Sequence, residues 1–139
     1  MRELDPERLF ERYRATGDPA ALAALFDRTA PQLLKVARML VRDRSLADDL
    51  LQATFVTAIE KASWFDGSRR VEPWLVGILA KHAANARRKQ NRFLDADRLS
   101  HGTTVEPHTD AERREFAAEV ERALMGLPAI YRDVLEPRL

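Results

Sequence analysis

The sequence contains no cysteine, only a few glycines and no excess of either sign of charge. Its 139 residues include five glycines, and 23 basic side chains offset 22 acidic ones to leave a net charge of +1. The lack of cysteine excludes a disulfide scaffold, a thiol nucleophile and cysteine-ligated metal sites. The scattered glycines exclude a Gly-rich phosphate-binding loop. The near-zero net charge excludes a protein that coats nucleic acid through a uniformly basic surface.

Long apolar runs and leader segments are also missing. No stretch approaches the roughly 18 apolar residues that a membrane span requires, and residues 1–10 are too charged for a signal peptide. A hydrophobic fraction of 45% is nevertheless enough for a packed core. We therefore expect a soluble, cytoplasmic protein with no membrane segment.

The charges are unevenly distributed along the chain. Residues 68–98 carry eight basic and three acidic side chains, which gives this segment a net charge of +5. Residues 99–139 carry five basic and eight acidic side chains, a net charge of −3. A basic island between neutral and acidic flanks predicts a local contact with a polyanion.

Apolar residues recur at helical spacing along most of the chain. Asp18 is the expected N-cap of the second helix and Ser45 that of the third. Pro31 leaves two possibilities, since it either kinks one long helix or opens a new one. The pattern predicts six helices, over 6–15, 19–41, 45–63, about 71–92, 110–125 and a short stretch after Pro128.

The predicted architecture is all-α, because no alternating pattern favours a strand. Residues 93–110 have weak periodicity and are rich in linker-type residues, which is typical of a flexible linker. We expect a helical bundle over 1–92, this linker over 93–110, and a short, incomplete helical segment over 111–139.

The third predicted helix has an outer face that is polar but not uniformly so. Asp49, Gln52, Ala53 and Val56 lie opposite its apolar side. A plain solvated face is the simpler interpretation. An apolar centre ringed by hydrogen-bonding groups is also typical of a surface that docks a partner.

The fourth predicted helix has a basic edge. Lys81, Asn85, Arg88 and Arg92 follow one another along it, and Lys89 adds to its positive end. A strip of small residues beside this edge, Gly77, Ala80 and Ala84, would let a phosphate backbone approach closely. The alternative is a cationic helix end that only stabilises its own macrodipole.

The loop before this helix places two aromatic residues beside two arginines. Trp64 and Phe65 precede Arg69 and Arg70, and the Asp66–Gly67 pair is a turn signal. Aromatic rings beside cations suit unstacked bases. The alternative is that one or both rings simply close the hydrophobic core.

These features occur in an order that resembles the extracytoplasmic-function (ECF) group of bacterial RNA polymerase sigma factors. The quoted motifs are Asp49-Leu-Leu-Gln-Ala-Thr-Phe55, Phe65-Asp-Gly-Ser68, Trp74-Leu75 and the Arg-rich end of the fourth helix. They resemble the family's region 2 over about residues 20–92. The segment from Ala123 to Leu135 resembles the start of its region 4.

The resemblance implies a sigma-factor mechanism with no catalysis, cofactor or metal. The third helix would dock on the β′ clamp coiled coil of core RNA polymerase through Asp49, Gln52, Ala53 and Val56. The loop and fourth helix would bind the non-template strand of the minus-ten promoter element and hold a flipped base. An anti-sigma factor is a further implied partner. The implied DNA-binding residues are Trp64, Phe65, Asp66, Gly67, Ser68, Arg69, Arg70, Lys81, Asn85, Arg88, Lys89 and Arg92.

The sequence departs from the family pattern in three places. Ala53 stands where the family usually has Glu, so we expect altered affinity for polymerase. Lys81 and Asn85 stand where Asn and Asp are common, so the base preference is expected to differ. The sequence ends at Leu139, before the helix-turn-helix of region 4, so we expect no recognition of the minus-thirty-five element.

Two other functions remain open on the sequence. One is a helical regulatory protein that docks on polymerase or on a sigma antagonist without melting DNA. The other is a helical enzyme with a metal held by His101, Glu106, His108 and Asp110, although their spacing matches no strong ligand pattern. His82 lies on the apolar stripe of the fourth helix and is expected to be a core histidine.

Overall fold

The computed structural model describes residues 5–91 and 109–129. Within them the chain forms five α-helices and a short 3₁₀ turn and contains no strand, so the predicted all-α class is confirmed. The elements are α1 (Pro6–Thr16), α2 (Pro19–Leu40), α3 (Arg44–Glu60), the 3₁₀ turn (Ala62–Trp64), α4 (Val71–Asn91) and α5 (Asp110–Met125).

Short polar side chains set where α1 and α2 begin. The Asp5 carboxylate accepts a hydrogen bond from the Arg8 amide at 2.9 Å, and the Asp18 carboxylate accepts one from the Ala20 amide at the same distance. Each of these N-caps precedes a proline, which needs no amide partner in the first turn. Gly17 ends α1 at a φ of +73°, a backbone conformation that glycine adopts without a steric penalty.

Pro31 lies inside one continuous helix, which settles the two possibilities that the sequence left. α2 runs through it from Pro19 to Leu40. A proline has no amide hydrogen, so the Asp27 carbonyl loses its usual helical partner. Two residues earlier, the buried Thr29 hydroxyl donates to the Leu25 carbonyl at 2.8 Å, which satisfies this polar side chain within the core.

The predicted start and end of the third helix were wrong. Its N-cap is Asp43 rather than Ser45, because the Asp43 carboxylate accepts from the amides of Ser45 and Leu46. The helix ends at Glu60 rather than near Ser63, and Trp64 belongs to the following 3₁₀ turn rather than to a loop. Leu50, which the helical wheel did not place in the core, is also buried.

α4 is the central helix of the molecule. It packs against α1, α2, α3 and α5, and its residues from Leu75 to Ala80 are all buried. A helix surrounded by others loses its single apolar stripe and becomes apolar all round. The largest side chains sealed in the core come from several helices: Phe10, Leu25, Leu33, Val36, Val71, Leu75, Val76, Ile78 and Leu79.

α5 occupies the predicted range, and Gly126 ends it as expected. Thr109 and Glu112 form a capping box at its start: the Thr109 hydroxyl accepts from the Glu112 amide, and the Glu112 carboxylate accepts from the Thr109 amide. Residues 93–108 of the predicted linker and the predicted helix after Pro128 lie almost entirely outside the described residues. No helix among the described residues is long and apolar enough to span a bilayer.

Candidate nucleic-acid interface

The turn between α3 and α4 is built around Asp66. Its carboxylate accepts from the Ser68 amide at 3.0 Å and from the Ser68 hydroxyl at 2.8 Å. These two hydrogen bonds, assisted by Arg69 and Arg14, hold the pKa of the Asp66 carboxyl below its usual range. The Arg69 amide also donates to the Asp66 carbonyl at 3.0 Å. The turn is therefore locally ordered while residues 66–70 stay exposed.

The two predicted base-stacking aromatics have different surroundings. Phe65 is only 5% exposed, and its ring centroid lies 5.4 Å from that of Phe10 and 4.9 Å from that of Trp74. The assignment of Phe65 to base stacking does not fit this burial, because the ring is part of the core. Trp64 is half-buried and lies at the protein surface. Of the two rings only Trp64 is therefore partly exposed, and Phe116 of α5 packs edge-on against it with 5.6 Å between centroids.

Helix α1 holds this turn in place through two residues that the sequence analysis missed. The Arg14 guanidinium donates to the Phe65 carbonyl at 3.0 Å and lies over the Phe65 ring, 5.5 Å from its centroid. The Glu7 carboxylate accepts from the Val71 amide at 2.8 Å and thereby caps the start of α4. Arg14 and Glu7 are seven residues apart, so they lie on one face of α1, and this spacing is the only local sequence signal of their role. Their partners could not be inferred locally, because each lies more than 50 residues away in the chain.

The basic edge of α4 is partly exposed and partly paired. Asn85, Arg88 and Lys89 are exposed, and the Asn85 side-chain oxygen accepts from the Arg88 guanidinium at 2.7 Å. Lys81 is half-buried and forms an ion pair with Glu119 of α5, with 2.8 Å between nitrogen and oxygen. Arg92, the last residue predicted for this edge, lies outside the described residues.

The strip of small residues beside this edge is occupied by protein. Gly77 lies under Val120 of α5, and Ala80 is 8% exposed. In this structure the close approach at the strip is made by α5, and the predicted contact of the strip with a phosphate backbone stays a prediction.

A cleft of about 140 Å³, lined by both polar and apolar side chains, opens where α3, α4 and α5 meet. The Thr57 hydroxyl and the His82 imidazole are 2.8 Å apart across it. Burial, and secondarily the charge of Lys81, lower the pKa of His82 from its usual value, so the imidazole is neutral near pH 7. The residues that line the cleft are Thr57, Lys61, Ile78, Lys81, His82, Asn85 and Phe116.

The outer face of α3 is exposed, as the helical wheel predicted. Asp49 and Gln52 are exposed, Ala53 is half-buried, and Val56 leaves 53% of its surface in contact with solvent. Ile59, which the sequence analysis did not place here, is 42% exposed one turn further on. Two neighbouring exposed aliphatic side chains next to acceptor groups are typical of the centre of a docking surface.

The proposed metal site finds no counterpart in the described residues. No cluster of three or more His, Asp or Glu side chains within 5–91 and 109–129 is arranged to hold a metal ion. His101, Glu106 and His108 lie outside these ranges, and Asp110 is the first residue of α5.

Comparison with known proteins gives two matches. The family model for sigma-70 region 2 matches residues 25–93, which run from α2 to the end of α4. The RNA polymerase sigma factor CarQ of Myxococcus xanthus is 41% identical over 86 residues. That alignment covers 62% of this chain and 48% of the relative, so the chain spans about half the length of the curated relative that it matches. No solved structure matches the chain significantly. Residues 25–93 of the chain therefore belong to the sigma-70 region 2 family.

Proposed function

We propose that the chain acts as an ECF-type sigma factor, which binds core RNA polymerase and recognises and opens the minus-ten promoter element in the cytoplasm. One observation carries the proposal most directly. The segment that matches sigma-70 region 2 holds both an α3 face with two exposed aliphatic side chains and an α4 edge with exposed basic side chains. These two surfaces meet the two requirements of the function, a protein partner and a polyanion.

The α3 face would bind the β′ clamp coiled coil. Val56 and Ile59 supply apolar area for the centre of the contact, and Asp49 and Gln52 supply acceptors at its rim. Ala53 offers a methyl group where the resembled family usually has a carboxylate. We expect this position to weaken the contact by the loss of one hydrogen-bond acceptor.

The turn and the edge of α4 would bind the non-template strand. Trp64 offers a ring for stacking, while Arg69, Arg70, Arg88 and Lys89 are exposed and within reach of phosphates. Extruding a base costs a few kcal/mol. Stacking returns roughly 1–3 kcal/mol per base, and phosphate contacts supply the rest, so opening the promoter needs no cofactor and no hydrolysis.

The test separates the two surfaces. We expect Asp49→Arg/Gln52→Ala to abolish co-elution with core RNA polymerase while leaving binding to a mixed-sequence single-stranded DNA pool unchanged. We expect Arg88→Glu/Lys89→Glu to do the reverse. Asp27→Arg reverses one charge on the exposed side of α2 and should behave as wild type in both assays.

The regulatory alternative makes a different prediction for the same variants. It is favoured by one observation, that α5 covers part of the proposed DNA surface through Lys81 and Trp64. A protein that docks on polymerase without melting DNA would show no measurable DNA affinity. Its activity would also survive Arg88→Glu/Lys89→Glu.

A further inference from the structure

α5 lies directly on the helix to which we assign DNA binding. A Cβ atom added at Gly77 of α4 would lie 2.6 Å from both the Val120 Cγ1 atom and the Val120 carbonyl oxygen. Real Cβ atoms do not come so close to other atoms, so the two helices approach this closely only because residue 77 is glycine. The contact is therefore made at backbone distance, not through the tips of long side chains.

An aromatic ring of α5 covers the tryptophan proposed for base stacking. Phe116 is 7% exposed, and its ring meets that of Trp64 edge-on with 5.6 Å between centroids. The ammonium groups of Lys61 and Lys81 lie 5.5 and 5.3 Å from the Phe116 ring centroid. Phe116 thus has the neighbours that a stacked base would need, namely an aromatic ring and two cations.

The carboxylates of α5 meet cations that we assign to DNA. The Lys81 ammonium donates to the Glu119 carboxylate at 2.8 Å. The Arg69 guanidinium lies 3.6 Å from the Glu121 carboxylate. The Lys81 contact is close and partly buried, whereas the Arg69 contact is longer and exposed, and both place acceptor oxygens where phosphate oxygens would bind.

We propose that this surface has two mutually exclusive occupants, α5 and single-stranded DNA, so that α5 is a cover built into the chain. The inference rests on the proposed function. α5 presents one ring and two carboxylates to Trp64, Lys81 and Arg69, which imitates a base and two phosphates. DNA can contact Trp64 and Lys81 fully only when α5 has left, so the apparent affinity is the intrinsic affinity reduced by the open fraction.

Two variants release α5 by independent routes. Gly77→Ala adds the methyl group for which Val120 leaves no room, and it favours the helical state of α4. Val120→Glu puts a charge into the apolar contact with Ile78 and Phe116. Ala118→Glu is the matched control, because it adds the same charge at an exposed position of α5.

The experiment measures α5 release and DNA affinity on the full chain. Trypsin cleavage after Arg113 and Arg122 reports release, since an undocked helix of 16 residues is marginally stable. DNA affinity is measured with a fluorescent, mixed-sequence single-stranded pool at low salt. We expect both variants to be cleaved faster and to bind the pool about tenfold more tightly, as an open fraction of about one tenth in the wild type implies.

Three further results follow from the cover. The double variant should bind no more tightly than either single variant, because both expel the same helix. Ala118→Glu should match the wild type in cleavage and bind DNA no more tightly. Added DNA should speed trypsin cleavage within α5 of the wild type, by the reciprocity of linked equilibria.

The outcomes separate this inference from the proposed function. Faster cleavage with measurable but unchanged DNA affinity overturns the cover and leaves the DNA surface in place. No DNA binding by the wild type or by either released variant overturns the DNA surface itself. Unchanged cleavage in both variants shows that the Gly77–Val120 contact does not hold α5, which also overturns the cover.

Discussion

At the residue scale, the site depends on side chains that do not touch the proposed ligand. Arg14 donates to the Phe65 carbonyl and lies over the Phe65 ring, while Glu7 caps α4 at Val71. Both residues lie before residue 25, where the match to sigma-70 region 2 begins. The first helix is therefore part of the site's support, although the family match does not include it.

The first prediction concerns Arg14→Gln. The substitution removes a charged donor from the Phe65 carbonyl, and we expect a loss of about 1–2 kcal/mol in the free energy of unfolding. The turn that carries Trp64 and Arg69 then loses its anchor, so single-stranded DNA affinity should fall severalfold while co-elution with polymerase is unchanged. Urea melts, DNA titration and gel filtration measure these three quantities.

Arg12→Gln is the matched control for this prediction. Arg12 lies on the same helix but is exposed, and its contact is an ion pair with Asp18 at 3.6 Å. Exposed ion pairs contribute little to stability, so this variant should resemble the wild type. Equal effects of the two substitutions would contradict a positioning role for Arg14.

The residue scale is also where sequence interpretation was least complete. The pair Trp64–Phe65 correctly indicated an aromatic turn, and one ring was expected to close the core. Nothing in the pair itself distinguishes the two rings, because the distinction comes from Phe10 of α1 and Trp74 of α4, which pack on Phe65 in the folded chain. Arg14 and Glu7 could not be found for the same reason.

Among the helices, α3 and α4 carry the two proposed surfaces. α3 bears the proposed polymerase face and α4 bears the proposed DNA edge. A hydrogen bond between Thr57 and His82 links the two helices beside the cleft. His82 was expected to be a core histidine with its polar atoms satisfied. In the structure His82 is half-buried rather than in the core, lines the cleft, and has its Nε2 atom hydrogen-bonded to Thr57.

The second prediction is a pH dependence of stability that His82 causes. Burial and Lys81 lower its pKa from the usual 6.5, whereas Glu60 raises it to a lesser extent. The unfolded chain therefore takes up a proton on this residue at a higher pH than the folded chain does. The contribution of His82 to the free energy of unfolding is therefore fully present above pH 6.5. It is lost as the pH falls toward the pKa that His82 has in the folded chain.

The measurement compares wild type with His82→Gln, which keeps a partner for Thr57 but does not titrate. Denaturant melts from pH 7 down to about pH 5 should show a steeper loss of stability in the wild type. The pKa of Glu72 is shifted in the opposite direction, because burial raises it. Glu72 therefore lowers the free energy of unfolding as the pH rises. It is present in both proteins, so its effect cancels. Parallel curves would contradict the assignment to His82.

The helices themselves were largely predictable, and their ends were less so. Asp18–Pro19, Thr16–Gly17 and Gly126 are local signals, and each lies at the expected boundary. The predicted start of α3 was wrong because two possible caps, Asp43 and Ser45, lie two residues apart, and its predicted end ran into the 3₁₀ turn that follows. Pro31 could not be resolved from sequence, since the packing of α2 on both sides of it decides whether the helix continues.

At the scale of the whole molecule, the arrangement of charge along the chain corresponds to a contact in three dimensions. The basic segment 68–98 includes most of α4, and the acidic segment 99–139 includes α5. Their helices pack together, with Lys81 on Glu119 and Arg69 on Glu121. The opposite net charges of the two segments are compatible with such a contact, but the geometry that brings Val120 onto Gly77 depends on the complete fold.

The proposed function requires that this chain direct core RNA polymerase to start sites. The most direct test sequences the 5′ ends of transcripts that core polymerase makes, with and without the protein, from a library of duplexes randomised upstream of the start. We predict protein-dependent starts that share a sequence element about ten base pairs upstream, and their loss with Asp49→Arg/Gln52→Ala. Identical start sites with and without the protein would contradict the claim.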